Sequence, residues 1–174
     1  MNKRIVMIVI AVLAITIISF YAYLGGFSSP AYTVTTSEPV YVAGKAYKGT
    51  IKDEQMGNVF RRAAEVLDKQ ELDGVLGSIY YNNPDETSDS INAFIGVVVA
   101  DTTIQLPADY ELRMVPGGRQ VLRGEINAHY MVAPGKLYDG IFEHAKEKNI
   151  QLQNFFLEWF PESHKAILEV PIKQ

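Results

Sequence analysis

The sequence contains no cysteine, which excludes disulfides, thiolate metal sites and cysteine nucleophiles and leaves the compartment open. Histidine is scarce as well. His129, His144 and His164 are scattered, with no pair at a metal-ligand spacing, so no metal site and no cofactor is expected. Positive charge is short: 16 Lys and Arg against 20 Asp and Glu give a net charge of -4, with no basic block. That argues against a nucleic-acid surface. Neither Ser78 nor any histidine stands in a recognisable nucleophile–base–orienter spacing, so no catalytic residue is assigned. What remains is a globular composition, 48% hydrophobic in 174 residues, with room for one domain and an accessory segment.

The accessory segment is a run without charge. Ile5 to Leu24 reads IVMIVIAVLAITIISFYAYL, matching the ~20 residues that cross a bilayer core. Lys3 and Arg4 precede it, and the next basic residue is Lys45. The positive-inside rule therefore keeps residues 1–4 cytoplasmic and places the soluble domain outside. Phe20, Tyr21 and Tyr23 suit an interfacial aromatic belt. A cleaved signal peptide is the alternative, but the run is longer than the usual ~7–15 residues and no Ala-x-Ala site follows closely. Residues 25–38 are expected to be a linker. Gly25-Gly26-Phe27-Ser28-Ser29-Pro30 reads as a flexible tether, and Tyr32 to Thr36 either begins a strand or continues the linker.

From Pro39 onward the elements run strand, helix, strand, strand, and then the same again, in repeats of about 39–100 and 111–174. Tyr41–Tyr47 has strand composition, and Thr50 with Asp53 resembles a capping pair. Met56, Val59, Phe60, Ala63 and Leu67 follow at helical spacing, opposite a charged face holding Arg61, Arg62, Glu65, Asp68 and Lys69. Val75–Tyr81 and Ile91–Ala100 read as strands separated by an Asn82–Asp85 turn. In the second half, Arg119–Ile126 is a strand and Leu137, Tyr138, Ile141, Phe142 and Ala145 form a helical stripe begun by Pro134 and Gly135. Asn154–Phe160 and Ala166–Ile172 are its last two strands. The expected fold is α+β: two pseudo-symmetric repeats forming one antiparallel sheet, with both helices on one side and a cleft on the other, preceded by a transmembrane helix.

Asn154-Phe155-Phe156-Leu157-Glu158-Trp159-Phe160-Pro161 sets one carboxylate among large apolar side chains. Alternation puts Phe156, Glu158 and Phe160 on one face and Phe155, Leu157 and Trp159 on the other. An anion between two rings is costly to bury unless something positive or hydrogen-bonding meets it. The plainer reading leaves Glu158 on a solvated face.

Several segments in order carry a family likeness: Gly77-Ser78-Ile79-Tyr80-Tyr81-Asn82-Asn83-Pro84, Ile95–Val99, Val115–Gly124, Phe156-Leu157-Glu158-Trp159 and Glu169-Val170-Pro171-Ile172. Over Pro39–Gln174 the chain resembles the GyrI-like family, the effector-binding domain of AraC-type and MerR-type multidrug regulators. The resemblance implies two strand-helix-strand-strand modules around a pocket for small, often lipophilic or cationic molecules. It places the pocket carboxylate on Glu158 and aromatic contacts on Phe156, Phe160 and Tyr80, with Tyr81 and Trp159 as further candidates. The chain departs from the pattern in three ways. A membrane anchor stands where regulators carry a DNA-binding module, Gln120 where Tyr is common, and Pro161-Glu162-Ser163 where an Asn/Asp-Pro turn is usual. The expected function is a membrane-anchored binding module for a small organic ligand, with no nucleic-acid partner and no protein partner assigned. One alternative is a hydrolase of strained electrophiles using Glu158 as general base. Another is a SOUL-type haem binder, for which no haem ligand can be assigned.

Overall fold

The computed structural model describes residues 3–50, 53–84 and 90–173. The chain begins with α1 (Lys3–Tyr23), a helix long and apolar enough to cross a membrane and with no buried residue. It ends in a Schellman motif: Gly26 N–H bonds Tyr21 C=O and Gly25 N–H bonds Ala22 C=O, with Gly25 at φ +75°. The glycines expected to form a flexible tether are packed instead. A Cβ on Gly25 would lie 2.7 Å from the Ala128 backbone. The Lys136 ammonium donates to the carbonyls of Gly26 and Ser28.

The remaining elements are β1 (Ala31–Thr36), β2 (Val40–Gly49), α2 (Glu54–Asp68), β3 (Val75–Tyr80), β4 (Ile91–Val99), β5 (Glu111–Val115), β6 (Gln120–Ile126), α3 (Ala133–Glu147), β7 (Phe156–Glu162) and β8 (Lys165–Pro171). They form one antiparallel eight-stranded sheet in the order β1-β6-β8-β7-β3-β4-β2-β5. The order is symmetric about the β3–β7 seam, where Ser78 stands opposite Glu158. Each half is a strand-helix-strand-strand module, β2-α2-β3-β4 or β6-α3-β7-β8.

The outermost strands add what the repeat pattern did not predict. β1, which precedes the first module, pairs with β6 of the second, and β5, which precedes the second, pairs with β2 of the first. The two modules thus exchange their leading strands. Six of the fourteen residues of the expected linker are therefore sheet, and Tyr32 of β1 reaches across to donate its hydroxyl to the Lys136 and Leu137 carbonyls of α3.

The two module helices share details that support a duplication. Both span 15 residues. Both close in a Schellman motif with a non-glycine residue in the left-handed region, Gln70 at φ 56° and Asn149 at φ 55°. The α2 start lies later than the capping pair suggested. Asp53 is itself the N-cap, its carboxylate accepting from Gln55 N–H at 2.9 Å, and Thr50 lies outside the helix. Residues 51, 52 and 85, the last being the end of the expected Asn82–Asp85 turn, lie outside the described residues.

Both helices lie on the same side of the sheet. One core joins Met56 of α2 and Leu137, Tyr138 and Ile141 of α3 to the inward positions of the strands, among them Ile95, Leu122, Phe156 and Leu168. The other face carries its own apolar cluster of Val42, Ile79, Phe94, Val115 and Leu157. α+β with one antiparallel sheet and both helices on one side is the observed architecture. The cleft, however, opens on the helix side rather than the bare side.

Candidate functional site

The cleft follows from where the helices rest. α2 sits on β2, β3 and β4, and α3 mainly on β6 and β8, meeting β7 at its first residue, where Tyr138 and Phe142 pack on Phe156. The gap between them is a cavity of about 680 Å³, within the range of small-molecule sites. Its floor is the seam: Leu76 and Tyr80 of β3, Ile91 of β4, and Glu158 and Phe160 of β7. α2 forms one wall through Met56, Phe60, Ala64 and Asp68, a stripe at i, i+4 spacing, with Arg61 beside it. The start of α3 forms the other through Pro134, Gly135 and Tyr138, with Tyr130 from the preceding loop.

Strand alternation delivers Glu158 to the cavity between Phe156 and Phe160, and its side of β7 is the side facing the helices. The residue is only 3% exposed. Burial first, and the Glu158 carboxyl group second, push the Tyr80 hydroxyl above its ordinary range. Tyr80 meets Tyr138 edge-on at 6.5 Å, and Tyr130 meets Phe160 edge-on at 6.4 Å. Among the described residues the lining carries two carboxyl groups, Glu158 and Asp68, and one guanidinium, Arg61. Arg61 bonds Asn58 Oδ1 at 2.9 Å. An ionised carboxyl group and aromatic ring faces in one concavity are groups that favour a cation.

Of the residues singled out from sequence, Glu158, Phe160 and Tyr80 line the cavity. Phe156 lies beneath it, buried against Tyr138 at 5.6 Å and Phe142 at 5.9 Å. Trp159 and Tyr81 are placed elsewhere. Trp159 faces the bare side of the sheet, backed by Gly77, where a Cβ would come within 3.2 Å of the Trp159 Cβ. Alternation was expected to turn Trp159 toward the helices, but helices and cleft share one side, so the same alternation turns it away from both. Tyr81 follows Tyr80 and points oppositely, its hydroxyl accepting from Arg113 Nη1 at 2.8 Å and its ring 5.9 Å from Phe155. Pro161 stands at an irregularity in the β7–β8 pairing, so β7 runs on to Glu162 before the turn.

Met56, Phe60, Ala64, Arg61, Asp68, Tyr130 and Tyr138 were not foreseen as lining. The signal for α2 lay in Ala64, which widens its apolar face beyond the stripe needed to pack on a sheet. The other large buried carboxylate, Glu169, is of a different kind. It lies on the bare side and accepts from Arg123 Nε and Nη2 at 2.8 and 2.6 Å.

No protein-family model matches the chain, and no curated protein is similar enough to match it. Solved structures do match. An integron cassette protein from the mobile metagenome of Vibrio cholerae is 10% identical, at a TM-score of 0.66, covering 84% of this chain and 99% of its own. SAV2435, solved bound to tetraphenylphosphonium, is 11% identical, at a TM-score of 0.58, covering 82% and 94%. The EcmrR C-terminal domain is 9% identical, at a TM-score of 0.58, covering 83% and 98%. With two modules that exchange their leading strands and a cavity over their seam, this chain shares the α+β fold of these three structures, in line with its resemblance to the GyrI-like fold.

Proposed function

We propose that the protein is a membrane-anchored module that binds small lipophilic cations in the cavity between α2 and α3. The observation that carries this is Glu158, 3% exposed on the aromatic floor of a cavity of about 680 Å³. The structural neighbour solved with tetraphenylphosphonium, a cation buried in four phenyl rings, supports the same ligand class. α1 is the anchor, and the Lys3 and Arg4 charges at its start keep the N-terminus cytoplasmic with the domain outside.

Calorimetry in detergent with tetraphenylphosphonium and with its neutral isostere tetraphenylsilane tests the reading. Glu158→Gln keeps the shape and removes the charge. It should weaken the phosphonium by about 1–3 kcal/mol, the Coulomb energy of unit charges about 6 Å apart at an effective dielectric constant of about 20–40, and leave the silane unchanged. Equal phosphonium affinity in both proteins would refute the role of the carboxylate. Mass spectrometry of recovered ligand separates binding from hydrolysis, and the expected result is an unaltered mass.

A further inference from the structure

We infer that the cavity opens onto the bilayer surface, so that its ligand enters from the outer leaflet rather than from bulk water. This rests on the proposed ligand binding and anchoring, and adds a route and a docked surface to them. The occupant of that surface is lipid.

The observation is continuity between the end of α1 and the mouth of the cavity. Leu24, the first residue past the helix, is buried at 8% exposure, and its carbonyl accepts from His129 N–H at 2.9 Å. Gly25 lies against Asn127 and Ala128 so closely that no side chain fits. The β6–α3 loop is therefore fixed to the point where the apolar helix ends, and the domain cannot swing free. From there a run of ring contacts leads inward. Tyr23 meets His164 at 5.4 Å, His164 meets His129 at 5.3 Å, His129 meets Tyr130 at 4.1 Å, and Tyr130 meets Phe160 at 6.4 Å. The last two, Tyr130 and Phe160, line the cavity.

The side chains at this end are the kind that sit at a membrane–water interface. Tyr130 is 51% and Met131 66% exposed in the same loop, and Phe27 is exposed beside Tyr21 at 5.2 Å. Aromatic rings with a polar edge concentrate at headgroup depth, and an exposed Met there transfers to acyl chains at no cost in hydrogen bonds. A lipophilic cation is already concentrated at that depth by partitioning. A mouth at headgroup level meets it at a local concentration far above the aqueous one.

The absence of cysteine provides a clean probe. Met131→Cys in the full chain, labelled with an environment-sensitive fluorophore, is reconstituted into phosphatidylcholine vesicles containing headgroup-depth nitroxide lipids. Lys148→Cys, at the far end of α3 and roughly 20 Å along that helix by its rise per residue, is the control. The expected result is several-fold stronger quenching at residue 131 than at 148. A second arm measures the association rate of tetraphenylphosphonium pre-equilibrated in vesicles with Met131→Asp. That variant should bind several-fold more slowly from vesicles, with unchanged equilibrium affinity in detergent. Equal quenching at the two sites, or an unchanged association rate, overturns the portal while leaving ligand binding intact. Loss of phosphonium binding by the wild-type protein in detergent would instead overturn the reading beneath it, and the portal with it.

Discussion

Tyr80 shows how the site reaches into stability. Burial, then the nearby Glu158 carboxylate, raise its hydroxyl above the ordinary value, so the native state keeps a proton that the unfolded chain releases above about pH 10. The unfolded state then binds fewer protons, and the contribution, fully present below that pH, is lost as pH rises past it. Tyr80→Phe should flatten the loss of stability between about pH 9 and 11 in urea melts, without abolishing it, because Tyr32, Tyr47 and Tyr110 are raised as well. An unchanged alkaline slope would show that Tyr80 ionises as in the open chain. At this scale the sequence was legible where alternation alone decides: Phe156, Glu158 and Phe160 do share a face. Which side that face looked toward was not, because alternation fixes relative and not absolute orientation. Trp159 and Tyr81 were named from the resemblance, and alternation sets them on the face opposite Glu158 and Tyr80.

At the scale of elements, all three helices close the same way, but with different residues in the left-handed position. α1 uses Gly25, which adopts it freely, whereas α2 and α3 use Gln70 and Asn149. An L-residue there costs roughly 1–2 kcal/mol, and glycine returns about 0.5–1 of that through its freer unfolded chain. Gln70→Gly should therefore stabilise the domain by about 0.5–1 kcal/mol in denaturant melts, and Asn149→Gly by less, because Asn tolerates this region better. Destabilisation by Gln70→Gly would mean that its side chain holds the α2 end in place. The strands of each module were legible to within a few residues because their apolar runs are bounded by turn residues. β1 was not. Ala31-Tyr32-Thr33-Val34-Thr35-Thr36 is an edge strand with no fully buried position, so no hydrophobic alternation announces it. Its partner lies 84 or more residues away in the chain, and local propensity carries no trace of that pairing.

For the whole molecule, the exchange of β1 and β5 ties the modules together at both edges of the sheet. A chain beginning at Ala31 keeps β1, and one beginning at Ser37 loses its ladder with β6 and the Tyr32 bonds to α3. At about 0.5–1.5 kcal/mol net per hydrogen bond, the shorter chain should be less stable by about 3 kcal/mol or more. Equal melting of the two would make residues 31–36 the linker they resembled. The apolar N-terminal helix and the module pattern were readable, since a long apolar run and a repeated element order are one-dimensional features. The position of the cavity was not, because it depends on two helices each settling over its own module and leaving a gap between them over Leu76, Tyr80, Glu158 and Phe160. The anomalous signal of a bromine-labelled tetraphenylphosphonium in crystals of the protein locates the ligand. A bromine peak is expected between α2 and α3, with the phosphonium ringed by Phe60, Tyr80 and Tyr138 and lying near Glu158. A peak on the opposite face, over Tyr81, Phe155 and Trp159, would rule this cavity out as the binding site.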